Sequence, residues 1–255
     1  MDRILEYWES QANDYGTDCT ASWGDINAIN LEIANIGKHI KHGDTVLDVG
    51  CANGYSTFPH ITKASSIIGV DFSPAMIEQA NLAKKRYAMH HDLVTFKEGN
   101  IKSLEFEDDV FDVVYTTRVL INLPTWEEQQ QGIAECIRVC KPEGTIVFSE
   151  AFWEPLTLLN SMRLLVGLPP LAEQDFNRYI KKTRLEKLLK DIYLHFECID
   201  FSSIYYLGSR FLREIIDDKV ALDGYSNTFN NMFYDIETKY SGGGFGIQQA
   251  YVIKQ

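Results

Sequence analysis

From about Leu31 to Glu150 the chain alternates short apolar runs with helix-length amphipathic stretches, and this rhythm constrains the fold more than any other feature. The runs are VLDVG (Val46 to Gly50), IIGVD (Ile67 to Asp71), LVTFKEGN, VFDVVYTT (Val110 to Thr117) and TIVFSE. A glycine-bearing turn and a helix are expected between the first two. PAMIEQANLAKKRYA then sets Met76, Ile77, Ala80 and Ala83 at helical spacing. TWEEQQQGIAECIRVC reads as a second helix, with Thr125 as N-cap, Glu127 and Glu128 at the positive dipole end, and Pro142 and Gly144 stopping it. Strands separated by helix-length segments make βαβ units, hence a parallel, doubly wound α/β sheet. Right-handed crossovers gather the strand C-termini on one edge, where such sheets bind ligands.

The flanks differ. Residues 1–35 are polar and aromatic with no strand pattern, and form an expected N-terminal cap on a core at 36–150. From 151 to 182 the cadence breaks with PLTLLNSMRLLVGLPPL. No basic face accompanies it, as a helix lying on a membrane would require, so it reads as a lid insertion. In the C-terminal part, 183–255, RLEKLLKDIY and LGSRFLREIIDDKVAL read as helices, and HFECIDFSSIYY and GIQQAYVIK as strands. A length of 255 residues suits a single embellished domain.

Composition removes several function classes. A net charge of −12 argues against binding nucleic acid or anionic lipid, both of which need a positive field. No run approaches the ~20 apolar residues of a membrane span, and MDRILEYWESQ is not a secretory leader; a cytoplasmic protein, monomeric or homodimeric, is expected. Five cysteines cannot all pair within the chain. Cys136 and Cys140 read as small apolar side chains on one helix face, and no second Cys or His pair completes a metal site.

The chemistry is concentrated in VLDVGCANGYSTF, at a strand-to-helix turn. Gly50 permits a sharp turn and close ligand approach; Gly54 removes a side chain where helix and strand would collide. The following helix would offer free N–H groups to an electron-rich ligand. A dinucleotide fingerprint needs glycines at positions 52 and 55, which are Ala52 and Tyr55, and no P-loop Gly-Lys-Ser/Thr ending is present. What stands is Asp48, Gly50, Ala52, Gly54: D-x-G-x-A-x-G.

This pattern resembles motif I of class I S-adenosylmethionine-dependent methyltransferases, with Ala52 in place of a glycine. The marks downstream are in register. Asp71 ends the second run and GNI (Gly99 to Ile101) the third; FDVVYTTRVLINL resembles the family's motif IV; RVCKPEGTIVFSE resembles its R-x-L-K-P-G-G closing turn, with Glu143 in place of a glycine. The resemblance implies a seven-stranded Rossmann-like sheet of order 3-2-1-4-5-7-6 with the last strand antiparallel, GIQQAYVIK and HFECIDFSS supplying the final pair. It implies S-adenosylmethionine as cofactor, S-adenosylhomocysteine as product, and a site of Tyr15, Gly50, Cys51, Asn53, Gly54, Asp71, Phe72, Met76, Asn100, Ile101, Thr117 and Arg118. Asp71 would meet the ribose, Asn100 the adenine edge, Ile101 the ring and Arg118 the methionine carboxylate. ASWGD and FSSIYYLGSRFL further resemble a bacterial subgroup associated with surface polysaccharide and small metabolites, implying a small polar acceptor: a saccharide or phosphorylated intermediate methylated at oxygen. Methylation of a small metabolite at nitrogen, or cofactor binding without turnover, are the alternatives.

An alcohol acceptor benefits from a base. His39, His42, His90 and His91 fall at the wrong end of the sheet, while His60 and His195 read as packing or surface residues. Asp25 and Tyr15 are the candidates if the N-terminal segment folds over the cofactor, with Trp23 and Asn122 as acceptor contacts. Arg118, Arg163 and Arg210 would matter for a phosphorylated acceptor. The segment TTRVLINL carries no carboxylate for a divalent cation, so no metal is expected.

Overall fold

A computed structural model describes residues 2–86, 91–216 and 224–255. His90 and the ends of two expected helices, at 87–88 and 217–222, lie outside the described residues. Seven strands form one sheet: β1 (Thr45–Val49), β2 (Ser66–Asp71), β3 (Val94–Glu98), β4 (Phe111–Thr117), β5 (Cys140–Ala151), β6 (His195–Ile199) and β7 (Gln248–Lys254). Their order is 3-2-1-4-5-7-6, with β7 antiparallel to both neighbours and the other pairs parallel. This is the expected topology, down to the two segments forming the last pair.

The core follows from the pattern. Val46, Leu47, Val114, Ile146, Val147 and Phe148 are all buried, as double-faced parallel strands require. Helix α1 spans Asp2–Tyr15, α2 Ile26–Ile36, α3 Pro74–Lys84 and α4 Trp126–Val139. Helix α3 buries Met76, Ile77, Ala80 and Ala83, as expected, and packs on β2 and β3. Helix α4 is capped by Thr125, whose hydroxyl accepts from Glu128 N–H, and packs on β4 and β5. The chain winds away from β1 toward β3 in one direction and toward β5 in the other. The opening between β1 and β4 is therefore the topological switch point.

Three local expectations are corrected. The segment after β1 is not an α-helix: turns lead into one 3-10 turn at Phe58–His60. Pro59 removes a donor there, and Thr57, Ile61 and Thr62 are β-branched, so little favours a regular helix. Cys140 is not on the helix face with Cys136; it is the first residue of β5, in extended conformation. HFECIDFSSIYY is a strand only to Ile199. Ser203–Leu207 is helix α7, continuing through a π turn at Gly208–Leu212 into α8 (Arg213–Ile216). The remaining helices among the described residues are α5 (Trp153–Leu165), α6 (Lys182–Asp191) and α9 (Thr228–Glu237). No described helix is long and apolar enough to cross a membrane.

Candidate functional site

The C-termini of β2, β1 and β4 lie side by side, and the three turns that follow them build the floor of a cleft. Gly50 has φ 81°, and a Cβ there would come within 2.0 Å of Val119 Cγ2. Its N–H and that of Cys51 both donate to Val70 O, at 2.7 and 3.0 Å, which closes the turn against β2. Asp71 accepts from Ala52 N–H and from Ser73 N–H, each at 2.9 Å. Ser73 rather than Asp71 caps α3. Burial pushes the Asp71 carboxyl up to about 6 against those N–H donors. Asp48, beneath the turn, accepts from the Thr57 hydroxyl at 2.6 Å, and burial pushes it up to about 7.

After β4 the chain turns at Arg118, which adopts φ 58°. Glu150 at the end of β5 holds this turn, accepting from Thr116 Oγ1 and from the N–H groups of Val119, Leu120 and Ile121. Arg118 pairs with buried Glu32 at 3.3 Å and lies 5.0 Å from the ring centre of Trp23. Across the cleft Arg210 pairs with buried Asp25 and sits 4.2 Å from the Tyr225 ring centre. Thr117 Oγ1 and Asn122 Oδ1 are among the side-chain atoms of wall residues that are buried without a hydrogen-bond partner. Such atoms are costly to bury unsatisfied and suit a polar ligand.

Two cavities open here. The larger, about 280 Å³, runs from Gly50 and Asp71 past Thr117 and Arg118 to an aromatic end at Trp23, Tyr179, Tyr206 and Tyr225. The smaller, about 90 Å³, lies between Phe72, Ile101, Leu123 and Pro124. Gly50, Asp71, Phe72, Val119 and Asn122 belong to both, so together they form one elongated site.

Among the expected site residues Gly50, Cys51, Asn53, Asp71, Phe72, Ile101, Thr117, Arg118, Trp23 and Asn122 line these cavities. Five do not, and their placement is corrected. Tyr15 ends α1 and is 47% exposed. Gly54 makes room for the Phe96 ring, which a Cβ would meet at 2.7 Å. Met76 is fully buried in a small cluster with Ala12 and Ala21. Asn100 turns its side chain back to accept from Lys102 N–H. Asp25 is wholly committed: its carboxylate caps α2 at Ala28 N–H, accepts from Tyr205 OH and pairs with Arg210. The expected free N–H groups of the first turn are also engaged, those of 50, 51, 52, 54 and 55 within the protein. Asn53 lines the wall while donating to Gly16 O and Asp18 O, which fastens the N-terminal segment to the turn.

Sequence reasoning missed Tyr7, Trp8, Phe176, Tyr179, Tyr206 and Tyr225 as lining residues. They come from four separate segments, and nothing in their local spacing joins them. Of the arginines considered together, Arg118 and Arg210 meet in the cleft, whereas Arg163 forms a two-pronged pair with Glu214. Of the described histidines, none lines either cavity, and no described cluster of metal-ligating side chains is present.

The site therefore has a glycine turn, an acidic residue ending β2 and a shaped slot beyond β3, at the switch point of a 3-2-1-4-5-7-6 sheet. Residues 47–148 match the family of the methyltransferase domain. An uncharacterised methyltransferase of Schizosaccharomyces pombe is 33% identical over 120 residues, 45% of this chain and 42% of that protein. A ubiquinone biosynthesis O-methyltransferase of Alkalilimnicola ehrlichii is 24% identical over 172 residues, covering 66% of this chain and 67% of the relative. The putative methyltransferase solved with the Trm112 activator from Haloferax volcanii superimposes at a TM-score of 0.60, with 17% identity over 98% of this chain and 96% of that one. This last likeness speaks to the fold. The matched domain contains every turn at the floor of the cleft, whereas the aromatic end lies outside residues 47–148.

Proposed function

We propose that the chain is an S-adenosylmethionine-dependent methyltransferase acting at oxygen on a small polar acceptor, with a saccharide and not a phosphate group seated in the cleft. The observation that carries this reading is the continuous site. One slot walled by Phe72 and Ile101 suits a flat ring, Asp71 stands between the cavities where ribose hydroxyls would donate to it, and the unpartnered Thr117 Oγ1 faces the wider end. The cofactor supplies a methyl group already activated on a sulfonium.

What remains for the protein is alignment and exclusion of water, which can provide roughly 7–11 kcal/mol when the geometry is good. Trp23 and Tyr179 wall the acceptor end, and Tyr7 packs on Phe176 with ring centres 4.6 Å apart above it. The phenols at the acceptor end are poor bases near neutrality, since burial raises Tyr179 to about 12, and raises Tyr7 and Tyr206 as well; the lining carboxyls raised toward neutrality, Asp48 at about 7 and Asp71 at about 6, lie at the glycine-turn end. The two cleft arginines are each matched by a buried carboxylate, so this end offers little net charge to a phosphate. Aromatic faces beside Asn53, Asn122, Asn177 and Gln248 suit the C–H and hydroxyl surfaces of a sugar.

Leu156, Leu171 and Ile247 in the same walls favour a second reading, a hydroxylated aromatic ring, in line with the ubiquinone-pathway relative. Incubation with S-adenosylmethionine and a panel of neutral sugars, sugar phosphates and hydroxylated aromatics, read by mass spectrometry, tests both. Methylation of sugars supports the first reading, methylation of the aromatics replaces it with the second, and transfer to amines alone would refute O-methylation.

A further inference from the structure

A second groove, of about 260 Å³, lies beside the acceptor end and shares Tyr179 with it. Its walls gather Arg178, Lys181 and Arg184 with the indoles of Trp126 and Trp153. Three cations converging in one groove are unexpected on a chain of net charge −12. Among the described residues none of them has a carboxylate at ion-pair distance, in contrast to Arg118 and Arg210 in the cleft. The one acidic residue in the walls, Glu173, accepts from Tyr179 N–H at 2.6 Å.

The platform is firmly held. Arg178 N–H donates to Ile121 O, Ile180 N–H to Ala151 O and Trp153 N–H to Ile180 O. Buried Gln129 donates to both Leu120 O and Arg178 O. The guanidinium of Arg178 is set by the carbonyls of Asp175 and Asn177. Trp153 leaves 41% of its surface exposed, with Lys181 Nζ 5.9 Å from its ring centre.

Uncompensated cations beside an exposed indole face, that of Trp153, recognise a ligand that is both anionic and planar, because charge-assisted hydrogen bonds and ring stacking are then satisfied together. We propose that this groove binds a nucleoside diphosphate, as the handle of an acceptor whose neutral, methyl-accepting part reaches past Tyr179 into the cleft. The nucleotide site stands on the groove alone; its link to the acceptor rests on the methyltransferase reading. The division also explains why the cleft arginines are neutralised while those of the groove are not.

The test is calorimetric titration of the full chain with UDP, ADP and inorganic pyrophosphate, each with and without saturating S-adenosylhomocysteine. A nucleoside diphosphate should bind more tightly than pyrophosphate, and S-adenosylhomocysteine should not displace it. Arg184→Ala and Trp153→Ala should each weaken it by about tenfold, while S-adenosylhomocysteine binds both variants like the unsubstituted protein. Absence of nucleotide binding, binding that both variants leave unchanged, pyrophosphate binding as well as the nucleotides, or displacement by S-adenosylhomocysteine would each overturn the proposal. Nucleotide binding with the expected losses, but no S-adenosylhomocysteine binding, would support the groove and strike the cofactor reading instead.

Discussion

Single residues show where sequence likeness and physical constraint coincide. The two positions where the chain departs from the glycines of the pattern it resembles, Ala52 and Glu143, both keep left-handed backbone, at φ 46° and 66°. A side chain there costs roughly 1–2 kcal/mol, partly offset by the chain entropy a glycine would add. Glu143 is exposed where β5 bulges before Gly144, so Glu143→Gly should stabilise the fold by about 0.5–1 kcal/mol. Thermal unfolding should then shift upward by a few degrees; a downward shift would show that the glutamate makes an interaction worth more than its strain. Gly50→Ala is the opposite case, since positive φ and the Val119 contact both penalise the new methyl. It should be strongly destabilising, or should force Val119 out of place and abolish cofactor binding, which unfolding and titration of the same variant would separate. Gly50 was legible because backbone geometry demands it, whereas Asp25 misled. An aspartate one residue before a helix is as well explained by capping, and its pairing with Arg210, 185 positions away, has no local trace.

At the scale of elements, continuous apolar runs revealed the strands because both faces are buried, and spacing revealed α3 and α4 because burial on one face imposes a period. It failed after β1, where sixteen residues, Ala52 and Pro59 among them, form turns instead of a helix. It held no sign that Asn53, which lines the wall, also works as a clasp. Replacing it with alanine removes hydrogen bonds of 3.0 and 2.7 Å to Gly16 O and Asp18 O, of which Asp18 O still accepts from Ala21 N–H. Asn53→Ala should cost about 1–3 kcal/mol locally and raise hydrogen exchange around residues 16–24 well above that of β1. If exchange there does not change, the N-terminal segment is held by its other contacts, such as Arg3 with Asp175 and Tyr7 with Phe176. The acceptor end was least legible, because it is assembled from α1, the 166–181 segment, the π turn and the chain before α9. Only the topology brings these together.

For the whole molecule the buried carboxylates under the cleft set the pH response. Burial raises Asp48 and Glu150 to about 7 and Asp71 to about 6, above their ordinary values of 3.8, 4.5 and 3.8. A carboxyl raised on folding favours the folded state when protonated, so its contribution is full below its unfolded value and is lost as pH rises through the folded one. Asp112 acts oppositely. Burial would raise it, but hydrogen bonds from Lys141 and Thr45 prevail and hold it at about 2, so its contribution is lost on acidification. The unliganded protein should therefore unfold at progressively lower temperature from pH 5 to pH 8, and Asp48→Asn should flatten that fall. A melting temperature that rises over this range would contradict the assignment. The methyltransferase reading requires the turn after β1, with Asp71 beside it, to seat an adenosyl sulfonium. Its most direct test is calorimetric titration of S-adenosylhomocysteine into the unsubstituted chain and into Asp71→Ala, with unfolding curves to show that the variant is folded. One saturable site, weakened by about 1–3 kcal/mol in the folded variant, is the expected result; no heat from the unsubstituted protein, or equal affinity for both, would contradict it.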